Sequence, residues 1–491
     1  MTNSLLLKNI KLFSIFTLAC LLAQTEAADK QQNVLFIAVD DLRSQLKCYG
    51  YEKMVTPHID SLAEEGVLFQ NHYVSNPICI PSRAALLTSI RCERTRQAYG
   101  PSNWIELDGV QTIGRTFGDA GYMTASLGKV WHTRGDVPED KADRFDVVWK
   151  RADSDIYADP EFSELRENLD YGDKEGVRKI KAKLPAAEGP LDVPDEAYGD
   201  GLMVPEVIKL MSQAVESKKP FMFILGFQKP HLPFNAPKRY WDLYDPESLP
   251  GTPTRENLPQ DASKFQLRSN HELWKYADGF SKSAPPSGKA ASRLLHAYAA
   301  CISYVDTQIG KVLAELERLK IREQTIIVFW SDHGYQLGHL GSWTKLTNFE
   351  MTAGAPLIIS APGFSRGKKT TKVVESVDLF PTLLDLCSLS PLPLTDGVTL
   401  RPLLLNPENP DWNEPAFHVV RRGSNAVGLA VRDEKFRYIE WRKGWEQDSK
   451  VLEVELYDYS KHPEERINVA DTPEYAVERQ RLAQLLWSWK N

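Results

Sequence analysis

Acidic side chains directly follow two strongly apolar segments of this 491-residue sequence. The first segment is followed by Asp40 and Asp41, and the second leads into Asp332 and His333. Continuous apolar runs are typical of buried parallel strands, whose carboxyl ends meet at one edge of a sheet. Carboxylates with one imidazole favour Ca²⁺ or Mg²⁺ over zinc. A turn is the commoner interpretation of either pair alone, but together they predict a divalent-cation site.

A cysteine and an arginine form a second candidate site. Cys79 lies in a predicted loop, shortly before Arg83 and ahead of a helix-like stretch over 84–89. A thiol at a helix N-terminus beside a cation is typically acidified, which indicates a reactive nucleophile. A buried structural cysteine is the alternative, and it is more common for a cysteine taken alone.

The N-terminal segment has the pattern of a secretory signal peptide. Lys8 and Lys11 precede an apolar run over 12–22, and a small-residue cleavage site follows at 25–27. The run is shorter than the roughly 20 residues that span a bilayer, so we expect a secreted or periplasmic protein without stable membrane insertion. Acylation of Cys20, as in a lipoprotein, is the minor alternative.

Cysteine number and charge narrow the function classes further. Removal of Cys20 with the signal peptide leaves five of the six cysteines, an odd number for an oxidising compartment. We therefore expect one to have a special role, while the other four allow one or two disulfides that the spacing does not assign. The net charge is -7 and no basic stripe is present, which argues against a nucleic-acid-binding protein.

The alternation of apolar runs and helical segments predicts an α/β fold, in which helices flank a large, mainly parallel central sheet. After about residue 390 short strand-like runs separated by turns predict a smaller subdomain with an antiparallel sheet. We divide the chain into a signal peptide over 1–27, an α/β domain with the candidate sites over 28–390 and a C-terminal subdomain over 391–491.

The strands predicted for the large sheet are Asn33–Val39, Met123–Leu127, Phe221–Phe227, Thr325–Trp330 and Pro356–Ser360. The predicted helices are a short one opened by the N-cap Thr56 and Pro57 and closed by Gly66, and a long one over Leu294–Leu319. The C-terminal elements are strands over Phe417–Arg421, Val427–Arg432, Phe436–Trp441 and Val454–Tyr457 and a helix over Glu474–Trp489.

Two long segments, 132–219 and 233–289, are rich in Pro, Asp, Glu, Gly and Ser. Long irregular segments in a compact domain are often binding loops, and surface decoration is the equally common alternative.

The stretch Cys79-Ile80-Pro81-Ser82-Arg83 resembles the C-x-P-S-R signature of the type I sulfatases of the alkaline-phosphatase superfamily. Further elements of that family occur in order along residues 33–470. They are Gly128-Lys129 with Trp131-His132, Lys229-Pro230-His231, Asp332-His333-Gly334 with Leu337-Gly338, Gly341, Trp343 and Lys345, Ser376–Leu384, and Glu455–Asp458 with Asn468. The resemblance implies an alkaline-phosphatase-like fold for the larger domain.

Within the family the sequence is most similar to the iduronate-2-sulfatases. The elements that carry this similarity are His333, the G-K-V-W-H form of 128–132, Gln228–Phe234, Trp343–Lys345 and Asn348–Glu350. Three segments depart from the family patterns: Ser89 replaces a glycine, 337–341 reads L-G-H-L-G, and 91–96 reads R-C-E-R-T-R. We expect the differences at 337–341 and 91–96 to affect which sugar the substrate pocket accepts.

The resemblance implies that a separate maturation enzyme oxidises Cys79 to formylglycine, whose hydrated aldehyde attacks a sulfate ester and later releases sulfate. The implied ligands of one Ca²⁺ ion are Asp40, Asp41, Cys79, Asp332 and His333. The implied cations around the sulfuryl group are Arg83, Lys129 and Lys345. By the same resemblance His231 protonates the leaving oxygen and His132 bonds the second hydroxyl. The expected substrate is a sulfated saccharide, with 2-O-sulfated uronic acid as the specific expectation.

Two other functions fit parts of this pattern. A phosphonate or phosphate ester hydrolase of the same superfamily would use the same formylglycine. A catalytically inactive protein that binds sulfated glycans is the third interpretation, and the intact set of candidate catalytic residues argues against it.

Overall fold

The computed structural model describes residues 31–97, 107–132, 144–150, 152, 154–170, 173–249, 258–267, 272–424 and 426–490. The predicted signal peptide and Cys20 lie outside these residues. Within the described ranges, no helix is both long enough and apolar enough to cross a membrane.

An eight-stranded sheet lies at the centre of the larger part of the molecule. Its strands are β1 Asn33–Asp40, β2 Val67–Tyr73, β3 Met123–Gly128, β4 Val147–Trp149, β5 Phe221–Pro230, β6 Thr325–Ser331, β7 Leu357–Ser360 and β8 Lys368–Glu375. Their spatial order is β4-β3-β5-β1-β6-β7-β2-β8. β7 pairs antiparallel with both neighbours, and the other neighbouring pairs are parallel. The predicted large, mainly parallel sheet is confirmed.

The central strand β1 is buried along its whole length. Leu35 and Ile37 pack into one apolar cluster, whereas Val34 and Phe36 pack into another on the opposite face. Because both faces are covered, every position of the strand favours an apolar side chain, which explains the uninterrupted run in the sequence.

Helices cover both faces of this sheet. They are α1 Pro57–Glu65, α2 Cys79–Thr88, α3 Cys92–Thr95, α4 Ile113–Asp119, α5 Pro160–Glu167, α6 Lys174–Lys181, α7 Gly199–Ser217, α8 Lys238–Trp241, α9 Gly288–Arg318, α10 Glu350–Ala353, α11 Leu379–Leu386 and α12 Arg401–Leu405. Side chains of α1, α7 and α9 belong to the first apolar cluster, and those of α2, α4, α11 and α12 to the second. The long helix α9 begins six residues before the predicted start at Leu294.

The start of α1 is capped by a neighbouring helix. Asp306 of α9 accepts hydrogen bonds from the backbone N–H groups of His58 at 3.1 Å and Ile59 at 2.8 Å. Thr56 occupies the N-cap position as predicted, but its side chain makes no capping bond and donates to Asp60 instead. The predicted capping role of the Thr56 side chain is therefore wrong, because a carboxylate from a packed helix satisfies these donors.

A second sheet of four antiparallel strands follows. Its strands, in the spatial order β12-β11-β10-β9, are β9 Ala416–Arg422, β10 Ala426–Arg432, β11 Phe436–Arg442 and β12 Val451–Asp458. The final helix α13, Ala476–Leu485, packs Leu482 against one face of this sheet. The predicted antiparallel C-terminal sheet is confirmed, and α13 is shorter at both ends than predicted.

The connection between the two sheets packs with the first one. Leu392, Leu403 and Trp412 belong to the apolar cluster on one face of the eight-stranded sheet. The division between residues 390 and 391 stays a prediction.

The described cysteines form no disulfide. Cys48, Cys79, Cys92, Cys301 and Cys387 are all free thiols. The one or two disulfides that the cysteine count allowed are therefore absent from the described residues.

Candidate active site

The predicted metal ligands lie at the carboxyl edge of the first sheet. Asp40 ends β1, and Asp332 directly follows β6, which pairs with β1. Asp41 has a φ of 60°, a left-handed conformation that aspartate tolerates better than most residues. Its backbone N–H donates to Asp332 Oδ1 at 3.1 Å, and the Tyr298 hydroxyl donates to its carbonyl oxygen at 2.7 Å. The first bond fixes the two strand ends relative to each other, and the second ties the end of β1 to α9.

Cys79 lies among these residues as the first residue of α2. The predicted loop position is therefore wrong, because the helix begins before the predicted stretch over 84–89. Pro81 is compatible with this start, because the first helical turn has no use for its missing backbone N–H. Cys79 Sγ lies 3.3 Å from Lys345 Nζ and 3.3 Å from His333 Nε2.

The Cys79 thiol is held in its neutral form. Burial, followed by the charge of Asp40, raises the pKa of this thiol well above its ordinary value. The ammonium groups of Lys129 and Lys345 oppose this increase without reversing it. The acidified thiol predicted from the helix N-terminus is wrong, and a neutral, buried thiol is a poor nucleophile.

Arg83 lies one turn along α2 and links two carboxylates. Its Nε donates to Asp332 Oδ2 at 2.9 Å, and its Nη2 lies 3.4 Å from Asp40 Oδ1. Its Nη1 donates to the carbonyl oxygens of Lys129 and Val130. Because Arg83 is only 1% exposed, this guanidinium is a fixed positive charge inside the site.

Lys129 reaches the site because β3 ends in a close approach to β5. Its backbone N–H donates to the Gly226 carbonyl oxygen at 2.8 Å, and a Cβ at Gly226 would overlap the Lys129 backbone. The Lys129 ammonium lies 2.5 Å from Asp40 Oδ2. Burial would raise the pKa of Asp40, but Lys129, His231 and Arg83 hold it well below its ordinary value. Asp40 is therefore a carboxylate in the folded protein.

Lys345 and His333 complete the wall around the cysteine. Lys345 Nζ lies 2.5 Å from Asp41 Oδ1. His333 Nδ1 is 2.9 Å from the Gly334 carbonyl oxygen, which assigns the proton to Nδ1 and leaves the Nε2 lone pair facing the cysteine. Burial, followed by the charge of Lys345, lowers the pKa of His333 to about 3. The imidazole is therefore neutral, as a metal ligand must be.

His231 approaches from the end of β5. Its Nδ1 lies 2.6 Å from the Leu232 carbonyl oxygen, and its Nε2 lies 3.9 Å from Asp41 Oδ2. Asp200 at the start of α7 accepts the backbone N–H groups of Gln228 at 2.9 Å and of the following lysine at 2.8 Å. These two bonds fix the strand end that carries His231.

His132 lies on the side of the site formed by Lys129. Burial, followed by the charge of Lys129, lowers its pKa to about 3. Its Nδ1 is buried and has no hydrogen-bond partner among the described residues. A neutral imidazole with an unpaired nitrogen has a free position for a ligand hydroxyl.

Two overlapping groups of donor atoms fit a divalent cation. They are Asp40, Asp41, Cys79 and His231, and Asp40, Cys79, Asp332 and His333, with the donor atoms of each group within 4.8 Å of one another. Asp41 Oδ2 is buried and accepts no hydrogen bond from the described residues, so it is free to ligate. Burial raises the pKa of Asp332 to about 6 despite the neighbouring Arg83, as expected for carboxylates that share a cation site. The structure thus brings the five predicted ligands together.

Two residues of the site had no signal in the sequence. Glu272 Oε2 lies 3.5 Å from His231 Nε2, and the Tyr298 hydroxyl bonds the Asp41 backbone. Glu272 lies in the second long segment, and Tyr298 belongs to the apolar stripe of α9, where a packing role is the default. The tertiary fold places Glu272 and Tyr298 at the site, and no local sequence pattern indicates this.

Comparison with known proteins relates this chain to sulfatases. Residues 32–389 match the family model described as "Sulfatase", and residues 338–491 match that described as "N-sulphoglucosamine sulphohydrolase, C-terminal". The chain is 32% identical to iduronate 2-sulfatase of Mus musculus over 437 residues, which cover 82% of this chain and 74% of the relative. It is 28% identical to a sulfatase of Formosa agariphila over 97% of this chain and 90% of that protein.

A solved structure shows the same fold. The phosphonate monoester hydrolase of Agrobacterium radiobacter superposes with a TM-score of 0.74 over 94% of this chain and 95% of that one, at 24% identity. The family model covers more than half of the chain and spans the edge of the sheet where the acidic residues, the cysteine and the cations meet. The chain therefore belongs to the sulfatase family of the alkaline-phosphatase superfamily and is a sulfuric ester hydrolase.

Proposed function

We propose that this enzyme removes sulfate from a sulfated saccharide, with 2-O-sulfated uronic acid as its substrate, by means of a formylglycine at residue 79 and one Ca²⁺ ion. The observation that carries the proposal is the position of Cys79 Sγ, 3.3 Å from both Lys345 Nζ and His333 Nε2. A neutral thiol at this position has little chemistry of its own, whereas the hydrated aldehyde of formylglycine supplies one hydroxyl to attack sulfur and a second to release sulfate.

The donor set favours a hard cation. Asp40, Asp41 and Asp332 offer oxygen atoms, and a mainly carboxylate set suits Ca²⁺ better than zinc. His333 and residue 79 would complete the set. When bound, the ion would neutralise negative charge on the sulfuryl oxygens.

The cations of the chain would surround the transferred group. Arg83, Lys129 and Lys345 are each paired with a carboxylate of the ligand set, at distances of 2.9 Å, 2.5 Å and 2.5 Å. A preorganised positive wall stabilises charge that develops on the sulfuryl oxygens. Because these side chains are held by ion pairs, little reorganisation accompanies the reaction.

The two histidines would move protons on opposite sides of the nucleophile. His231 presents Nε2 toward the site, where it would protonate the leaving oxygen as the S–O bond breaks. His132 has an unpartnered Nδ1 among the described residues, which suits a hydrogen bond to the second hydroxyl of the formylglycine hydrate.

The relative named iduronate 2-sulfatase supports a sulfated sugar acid as the substrate. The signal peptide predicted over residues 1–27 supports export, so we place the enzyme outside the cytoplasm, where sulfated polysaccharides occur. A maturation enzyme that recognises C-x-P-S-R would convert Cys79 during or before export.

The test is mass spectrometry across residue 79 together with a sulfate-release assay. Protein made with a maturation enzyme is expected to show a mass decrease of about 18 at Cys79, the change from thiol to aldehyde. It should release sulfate from a 2-O-sulfated uronic acid disaccharide and lose this activity on treatment with a calcium chelator, with recovery on addition of Ca²⁺. Cys79→Ala should abolish turnover. An unmodified but active protein would contradict the formylglycine, and Cys79→Ala protein that retains tight glycan binding beside an inactive parent would identify a binding protein.

The fold similarity to a phosphonate monoester hydrolase favours one second candidate, a phosphonate or phosphate ester hydrolase with the same nucleophile. The two functions are separated by kcat/KM for 4-nitrophenyl phenylphosphonate and for 4-nitrophenyl sulfate, which share a leaving group. We expect the sulfate ester to be the better substrate.

A further inference from the structure

Glu272 is a half-buried carboxylate on the outer side of His231, with its side chain 25% exposed. Its Oε2 lies 3.5 Å from His231 Nε2, on the nitrogen that also faces Asp41 at 3.9 Å. The other ring nitrogen, Nδ1, is bonded to the Leu232 carbonyl oxygen at 2.6 Å. The ring is thus held at both ends, and Nε2 lies between the nucleophile site and a carboxylate from another segment.

The position of Glu272 is itself fixed by the two long segments that precede and follow β5. Lys181 Nζ, at the end of α6, lies 3.7 Å from Glu272 Oε1 and 5.9 Å from the centre of the Tyr276 ring. The segments bond to each other close by, from the Ala277 backbone N–H to the Leu184 carbonyl oxygen at 2.8 Å. Glu272 is therefore supported by a built framework and is not a freely rotating surface side chain.

The separation between Glu272 and His231 is informative. At 3.5 Å the two atoms are at ion-pair distance, at the outer limit of a hydrogen bond, so the carboxylate lies beside Nε2 without saturating it. A substrate oxygen that enters between them can accept the proton.

We propose that Glu272 is a positioning residue that holds His231 as the proton donor to the leaving oxygen. The inference rests on the proposed sulfatase reaction. As the S–O bond breaks, its electron pair goes to the leaving oxygen and the Nε2 proton moves onto that oxygen. The carboxyl edge of the sheet would then hold the sulfate and the nucleophile, while the two long segments supply the support for the acid.

The experiment compares two leaving groups. A sugar alkoxide needs a proton to leave, whereas 4-nitrophenolate leaves readily without one, so loss of acid assistance affects the two substrates unequally. For Glu272→Gln we expect kcat on a 2-O-sulfated uronic acid disaccharide to fall by about 10- to 100-fold and kcat on 4-nitrophenyl sulfate by less than about 3-fold. The control Glu317→Gln, on the exposed side of α9, should change neither.

A double-mutant cycle tests whether Glu272 acts through His231. In a His231→Gln background, Glu272→Gln should cause no further loss on the disaccharide, because the proton donor is already absent. Equal losses on both substrates, or multiplicative losses in the double mutant, would overturn the inference. A matured wild-type enzyme with verified formylglycine that cleaves neither substrate would instead overturn the proposed function, and this inference with it. Circular dichroism of Glu272→Gln and of the more conservative Glu272→Asp excludes misfolding as the cause.

Discussion

At the scale of single residues, the site depends on charges that are buried in pairs. Arg83 is 1% exposed and bonds Asp332 while lying beside Asp40, and both carboxylates are fully buried. Removal of one partner of a buried pair leaves the other charge without compensation, at a cost of about 3–5 kcal/mol. Arg83→Ala should therefore destabilise the metal-free protein by about that amount and reduce sulfate release at least about 100-fold.

Urea unfolding followed by circular dichroism measures the first effect, and steady-state kinetics measures the second. Arg115→Ala is the matched control, since that side chain is 61% exposed and should contribute under about 0.5 kcal/mol. A stable but inactive Arg83→Ala protein would show that solvent or protonation compensates the two carboxylates.

His72 makes a prediction about acid stability. It is fully buried in β2, with Nδ1 2.9 Å from the Ala355 carbonyl oxygen and Nε2 2.9 Å from the Ser376 hydroxyl. Burial lowers the pKa of His72 to about 4, below the value near 6.5 in the unfolded chain. As the pH falls, the unfolded state therefore binds a proton at His72 before the folded state does. The contribution of neutral His72 to the folding stability is complete above about pH 6.5, and it is lost as the pH falls toward 4, at about 1.4 kcal/mol per pH unit.

The measurement is the free energy of unfolding in urea between pH 4 and pH 7. Other buried histidines contribute to the wild-type slope, so the difference between wild type and His72→Asn isolates one site. We expect His72→Asn to be less stable at pH 7 and to have a slope shallower by about one proton in this interval. Parallel curves would show that His72 keeps an ordinary pKa.

The residues of the candidate site that belong to short sequence motifs were predictable from the sequence. Cys79 and Arg83 share one helical turn, and Asp332 and His333 share one strand end, so local spacing carried the information. Glu272 could not be predicted, because it meets His231 only through the packing of two irregular segments. A lone glutamate in a charged loop has no pattern that distinguishes it from a solvated surface residue.

At the scale of elements, the contact between the end of β3 and β5 determines where Lys129 lies. Gly226 has no side chain where the Lys129 backbone crosses it, and a Cβ there would overlap backbone atoms that cannot rotate away. Gly226→Ala should displace Lys129 from Asp40, lower the stability by about 1–3 kcal/mol through overpacking, and reduce activity more than stability alone explains.

Gly189→Ala is the matched control, because no atom of the described residues lies within 4 Å of its added Cβ. We expect it to be neutral or slightly stabilising, by up to about 1 kcal/mol, through a restricted unfolded chain. Thermal melting measures the stability of both variants, and kcat measures their activity. A Gly226→Ala enzyme with unchanged kcat would mean that the Lys129 backbone moves without moving its ammonium.

Five strands of the first sheet were predictable from their mainly apolar runs, but β2, β4 and β8 were not. β2 contains the polar residues Gln70, Asn71 and His72, and β8 begins with Lys368 and Lys369 at the edge of the sheet. β8, as an edge strand, needs apolar residues on one face only and gains from charges on the other. β2 is an interior strand, but Gln70 is exposed and Asn71 only partly buried, which interrupts its apolar run. Such a segment has the composition of a loop, and only pairing with a neighbour reveals it as a strand.

At the scale of the whole molecule, a buried charged network joins the second sheet to the active-site side of the first. Glu350 starts α10, a few residues after Lys345, and accepts hydrogen bonds from the Tyr73 hydroxyl at 2.9 Å and from Arg437 Nη2 at 2.7 Å. Arg437, on β11, also bonds Glu465. The segment that carries Lys345 is thus tied to the C-terminal sheet by a fully buried arginine.

This network predicts that the two sheets unfold together. Arg437→Met removes the cation between Glu350 and Glu465, and an unpaired buried carboxylate should destabilise the protein by about 3–5 kcal/mol. If the sheets form one cooperative unit, loss of enzyme activity and loss of circular dichroism will shift to lower urea together and remain coincident. Arg421→Met, at an exposed arginine on β9 of the same sheet, should leave both curves in place. The variant could instead lose part of its ellipticity at low urea but keep its activity up to the urea concentration at which wild type becomes inactive. That result would show that the second sheet unfolds independently and that Lys345 does not depend on it.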